Sequence, residues 1–178
     1  MKRRSFAAAC AAACLLVLTG CASSLNNEVY GNEAASVIVK ENRRAASVLA
    51  KALSKKVGPG SSVLVTTIAN LDRLNESSSM GRMIAEQVAA GLVQYGVPVV
   101  EVKMANALFI RSAQGEMMLS REVKDLTLTH RAEYVIVGTY TVGGSTIYVT
   151  LKAVDPNTNV AHAAHSYGMP LDAFRKSI

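Results

Sequence analysis

The amino-acid order predicts a single α/β (α+β) domain in which a mixed sheet of about five strands carries its helices mainly on one face. Three features predict it. Apolar residues recur at helical spacing in separate stretches, β-branched runs lie between them, and two long β-rich runs joined by Gly143-Gly144 make a hairpin near the end. The length, 178 residues, suits one domain of ordinary size.

The first helix spans Ala34 to Lys56, where Ala34, Val37, Ile38, Ala45, Val48, Leu49, Ala52 and Leu53 share one broad face. Lys40, Arg43, Arg44, Lys51 and Lys55 fall mostly on the other, and Gly58-Pro59-Gly60 ends the helix. Ser61 and Ser62 belong to that turn. Val63 to Ala69 then reads as a buried central strand. A polar loop, Asn70 to Ser79, supplies N-cap candidates in Ser77, Ser78 and Ser79. Met80, Ile84, Val88 and Leu92 at i+4 spacing make the next helix, which Gly96 stops. Pro98 near the start of the strand Val97–Val102 favours an edge strand or an entry position.

Ala105 to Leu119 is less regular, with a short strand or tucked loop at Leu108-Phe109-Ile110 and a turn at Gln114-Gly115. Ser120 caps a helix running to about His130. In the hairpin Tyr134–Val142 and Thr146–Val154, Ile147, Val149, Leu151 and Ala153 point one way. Thr146, Tyr148, Thr150 and Lys152 point the other, so one face is wet. The turn Asp155–Asn159 leads into a last strand, Val160 to Ser166.

The amino terminus is not part of this domain. Lys2, Arg3 and Arg4 precede an uncharged stretch from Phe6 to Leu18, too short to span a membrane, and Leu18-Thr19-Gly20-Cys21 closes it. Small residues before a cysteine suit a peptidase that closes on the backbone, and the thiol takes a diacylglycerol. The tetrapeptide resembles the bacterial lipobox, which implies cleavage before Cys21 and acylation of the new amino terminus. Arg3-Arg4-Ser5-Phe6 partly resembles a twin-arginine signal but continues with Ala7 and Ala8, so export of the unfolded chain is expected. The organisation is then residues 1–20 as signal peptide, 21–33 as lipidated cysteine and tether, 34–168 as the domain and 169–178 as a tail.

Cys10 and Cys14 leave with the signal and Cys21 carries lipid, so the mature chain has no thiol for a disulfide or a metal site. Loss of Lys2, Arg3 and Arg4 lowers the formal charge from +6 to +3, which does not argue for nucleic acid. Ala22 and Ser23 follow the anchor where an Asp resembles an inner-membrane retention signal, so the outer membrane is the expected destination. The lipid-bearing cysteine exceeds the two-signal threshold for stable anchoring. Ala22 to Glu33 is a polar tether reaching roughly 40 Å at full extension.

The domain resembles the FlgO family of outer-membrane lipoproteins associated with bacterial flagella. The likeness is carried by Val63–Ala69 leading into Asn70-Leu71, by Ser79-Met80-Gly81-Arg82, and by Gly91-Leu92-Val93-Gln94. It continues through Val99-Val100-Glu101-Val102 and Gly115-Glu116-Met117-Met118-Leu119-Ser120, and Tyr134–Tyr140 with the strand after it completes it. The resemblance implies a fold like the amino-terminal domain of TolB and part of the curli secretion lipoprotein CsgG. It implies a non-enzymatic role in flagellar assembly, stability or motility through protein contacts. An accessory role in an envelope export or transport complex is the alternative. This chain lacks the spare strands of a membrane pore.

Chemistry-bearing motifs are few. His162 and His165 spell H-x-x-H, but their odd separation on a strand sends them to opposite faces, and no metal site is expected. His130 sits at a helix end, where it serves the helix dipole. Ser77 to Ser79 is not a nucleophile elbow, and Gly58–Ser62 precedes a strand instead of joining a strand to a helix, so neither a hydrolase nor a phosphate loop is indicated. No enzyme activity is expected, and no cofactor beyond the acyl lipid on Cys21. The basic residues Lys40, Arg43, Arg44, Lys51 and Lys55 are a candidate surface for anionic headgroups or a polymeric partner, set against a solvated helix face. Gly91 inside a helix implies close packing, expected against the sheet.

Overall fold

The computed structural model describes residues 33–74, 76–102, 108–111 and 116–175. The signal region, Cys21 and the tether lie outside the described residues. The folded unit begins at Glu33. Helix α1 is Glu33–Leu53; β1 is Ser62–Thr66 and β2 Ala69–Asn70; α2 is Ser79–Gln94 and β3 Val99–Val102. Then come β4 Leu108–Arg111, β5 Glu116–Leu119, α3 Arg121–Thr129, β6 Ala132–Gly143, β7 Thr146–Val154, β8 Ala161–Pro170 and α4 Leu171–Arg175.

The main sheet has the order β3-β1-β6-β7-β8, with β2 continuing along β6. It is mixed. β1 runs parallel to both β3 and β6, while β6-β7-β8 is an antiparallel meander. The parallel pairs require crossovers, and helices supply them: α2 between β1 and β3, α3 before β6. β3 lies at the edge of the sheet and Pro98 directly precedes it, so both positions that Pro98 favours are met. β4 and β5 pair separately as an antiparallel ribbon.

Alternation along the strands divides the core. Val63, Val65, Ile136, Ile147, Val149, Leu151 and Ala153 meet α1, α2 and α4, where Ile38, Leu49, Leu53, Ile84, Val88 and Leu92 are fully buried. Leu64, Val135, Val137 and Val154 face the other way and meet Val123 of α3 with Leu119. Helices therefore sit mainly on one face, and α3 covers one end of the other.

Several local expectations change. The inward face of α1 is Ile38, Asn42, Ala45, Ala46, Leu49, Ala50 and Leu53, while Val48 is 39% exposed. Ala46 takes the inner side because α2 comes close enough to need a small residue there. Gly91 shows why: a Cβ on it would lie 2.5 Å from the Ala46 Cβ. Its close packing is against α1, not the sheet. Ser62 belongs to β1 instead of the turn. The hairpin register pairs Gly143 with Thr146, so the two-residue turn is Gly144-Ser145. Glu116–Leu119 is a strand that the sequence does not announce, and the Gln114-Gly115 turn lies outside the described residues. β8 runs on to Pro170 and α4 follows it, where a tail from 169 was expected.

Candidate interaction surface

Three polar arrangements and one open face carry what chemistry the domain has. The first is buried. Asn42 is fully enclosed in α1; its Nδ2 donates to Gln87 Oε1 of α2 at 2.7 Å, and its Oδ1 accepts from the Tyr167 hydroxyl of β8. Burial pushes the Tyr167 phenol well above its usual range, and the charge of Glu41 pushes in the same direction. One amide thus ties two helices to the last strand. The sequence hides it, because an asparagine amid Glu41, Arg43 and Arg44 reads as part of the wet face.

The second arrangement closes the start of α2. The Ser78 hydroxyl accepts from the Gly81 N–H at 3.0 Å and from the Tyr140 hydroxyl at 2.7 Å. That is the N-cap, and it leaves Ser78 committed to structure. Gly81 is forced by the same closeness: a Cβ there would stand 2.0 Å from the Ile68 carbonyl oxygen. Ser77 and Ser79 both receive hydrogen bonds from the Arg82 guanidinium. None of the three hydrogen-bonds a histidine among the described residues. At α3 the Ser120 hydroxyl accepts from the Val123 N–H, and His130 is the C-cap residue.

The third arrangement corrects the reading of the histidines. An irregularity at Ala153/Val154 pairs Ala153 with Ala163 but Val154 with Ala161, leaving His162 as the extra residue of a bulge. Its ring meets Tyr134 edge-on at 5.4 Å and its Nδ1 lies 3.3 Å from Lys56 Nζ, both on the α1 side. His165, paired with Leu151, also faces that side and stacks on Tyr167. Strict alternation would have separated the two; the bulge overrides it. Each has its own aromatic partner, and no set of three metal-binding side chains occurs among the described residues.

Of the five basic residues, Lys40, Arg43, Arg44 and Lys51 line the exposed side of α1, and Lys55 lies just past its end. None pairs with a carboxylate among the described residues, where the ion pair formed is Arg73–Glu76.

The far face of β6-β7-β8, beyond α3, is uncovered among the described residues. Thr139 and Thr150 are paired across strands, Thr150 shares a hydrogen bond with Ser166, and Tyr148 is 54% exposed. Where this face meets β5 and the β7–β8 turn there is a groove of about 210 Å³, lined by Leu119, Val137, Thr139, Thr150, Lys152 and Asn159 among others. The turn is held by Asp155, whose carboxylate accepts from the Asn157 N–H at 2.8 Å and is thereby kept below its usual range.

The pattern of the FlgO protein family matches residues 43–174, most of the chain. This chain belongs to the FlgO family. No curated protein matches it. Among solved structures it is similar to the LpoB C-terminal domain from Salmonella enterica, at 16% identity over 71% of this chain and 95% of that one, with a TM-score of 0.49. It is similar also to the LpoB C-terminal domain from Escherichia coli (13% identity, 72% and 98% covered, TM-score 0.46). A third is lipoprotein GNA1162 from Neisseria meningitidis (17%, 62% and 80%, TM-score 0.41).

The FlgO-like segments quoted from the sequence are mainly scaffold in this FlgO-family domain. Val63–Ala69 is the buried centre of the sheet, Gly81 sits on Ile68, Gly91 sits on Ala46, and Tyr140 closes the Ser78 cap. Of the residues on the solvent side of the groove, Thr150 and Lys152 lie on β7, the strand that completes the likeness, and Asn159 lies in the turn after it.

Proposed function

We propose that this FlgO-family protein is an outer-membrane lipoprotein, anchored by acyl lipid on Cys21, that supports flagellar assembly, stability or motility by protein contacts. The family match over residues 43–174 carries the reading. The polar groups account for themselves structurally: Ser78 caps, Asn42 and Tyr167 bind each other, and the histidines pack on aromatics. A role in binding suits such a domain better than a role in chemistry. No described helix is long and apolar enough to cross a membrane, and lipid on Cys21 would supply the attachment. The basic side of α1 is read as a solvated face that follows the tether in sequence, able to add attraction to anionic headgroups at about 1 kcal/mol per contact.

Deleting the gene tests this, with motility scored in soft agar and filaments viewed by electron microscopy. Lost or detached flagella, restored by the wild-type gene but not by Cys21→Ala, are expected. Normal filaments and swimming in the deletion strain would overturn the flagellar role.

A further inference from the structure

The groove on the far face of β6-β7-β8 has a composition that selects an occupant. Leu119, Val137, Val154 and Ala161 give it apolar walls, and Thr139 and Thr150 give it hydroxyls. Lys152, at its exposed side, forms no ion pair or hydrogen bond among the described residues. Asn159, held at positive φ in the β7–β8 turn, lines the groove too, and its buried Oδ1 has no hydrogen-bond partner among the described residues. A cation without an anion and an acceptor without a donor therefore stand at one apolar depression.

We infer that this groove docks an extended segment of a protein partner carrying an Asp or Glu beside an aliphatic residue. The carboxylate would meet Lys152, a backbone N–H of the segment would donate to Asn159 Oδ1, and the aliphatic side chain would lie against Leu119, Val137 and Val154. A simple anion satisfies Lys152 but offers Asn159 nothing. At about 210 Å³ the groove is smaller than the ~300–1,000 Å³ usual for free small ligands and takes one or two side chains of a longer chain. The strands beside it add a flat, hydroxyl-lined surface along which an extended segment can run, with Tyr148 exposed as an amphipathic contact.

This deepens the protein-contact reading above and is independent of whether the partner is flagellar; a swimming defect and the binding result can fail separately. The experiment is selection of a displayed random-peptide library on the full-length lipoprotein in detergent, run in parallel on Lys152→Glu and Ala161→Tyr. Both positions are exposed, so the variants are expected to fold, and circular dichroism confirms it. Wild type enriches acidic residues next to aliphatic ones, Lys152→Glu switches the acidic position to Lys or Arg, and Ala161→Tyr fills the groove and loses the enrichment by at least about tenfold. Equal enrichment on all three proteins, or no acidic preference on wild type, overturns the proposal. So does self-association through the groove, seen as a wild-type dimer that Ala161→Tyr dissociates.

Discussion

Exchanging one methyl group between two helices tests the packing that sets the whole architecture. In Gly91→Ala the new Cβ would arrive 2.5 Å from the Ala46 Cβ, against the ~3.5–4.0 Å at which carbon atoms rest, so α1 and α2 must separate by about 1 Å. Overpacking costs about 1–3 kcal/mol, and the better helix propensity of alanine returns about 1, for a net loss of about 1 kcal/mol. Ala46→Gly loses about 1 kcal/mol of propensity and nearly as much again for one buried methyl, about 2 in all. The double variant Ala46→Gly/Gly91→Ala restores one methyl to the interface and cancels the propensity terms, so it should match wild type. The cycle then contains about 3 kcal/mol of coupling, where independent sites would add to within about 0.5 kcal/mol. Urea unfolding of the four proteins, followed by circular dichroism, measures it. Additive losses in the double variant would refute direct methyl-on-methyl packing of the two helices.

Alkaline unfolding isolates Tyr167. Its phenol titrates higher folded than unfolded, so its stabilising contribution is complete below the ordinary value near pH 10 and is lost above it, by up to ~1.4 kcal/mol per pH unit. Tyr167→Phe should flatten that limb relative to wild type; equal slopes would show that the phenol is not held neutral by burial. Ser78→Ala removes the α2 cap and leaves the Tyr140 hydroxyl unpaired, for a loss of about 1–3 kcal/mol. Adding Tyr140→Phe should recover part of it in urea melts, and full additivity would deny the shared bond. Changing Lys40, Arg43, Arg44, Lys51 and Lys55 together to Gln should move stability by no more than about 0.5 kcal/mol and leave membrane fractionation unchanged. Release from the membrane would instead make that helix face part of the anchor.

Legibility followed burial and period. The i+4 run from Met80 to Leu92 and the alternation from Ile147 to Ala153 read correctly because each apolar residue there does what its position asks. Two readings failed for a common reason: the deciding contact came from a distant segment. Gly91 met Ala46 instead of the sheet, and the bulge beside Ala153 brought His162 to the α1 side; Asn42, which carries no signal of its own in the sequence, turned inward to Gln87 and Tyr167 in the same way. Of the surface, the basic side of α1 was visible in the sequence and the groove was not. Leu119, Val137, Lys152 and Asn159 lie on different strands and a turn, and only the fold makes them neighbours.

The bond between Asn42 and Tyr167 spans 125 residues and joins the first helix to the last strand. A chain made amino end first completes α1 long before β8 exists. During that interval the inward side of α1, with Ile38, Leu49 and Leu53, has no sheet to rest on. Completion of the domain therefore waits for β8, and closing so long a loop makes folding slow by comparison with local helix formation. Without β8 the inner side of α1 loses the strand it rests on, and buried Asn42 loses the Tyr167 hydroxyl. The last strand is therefore the latch of the domain: until it docks, the first helix is an amphipathic segment with part of its bed missing.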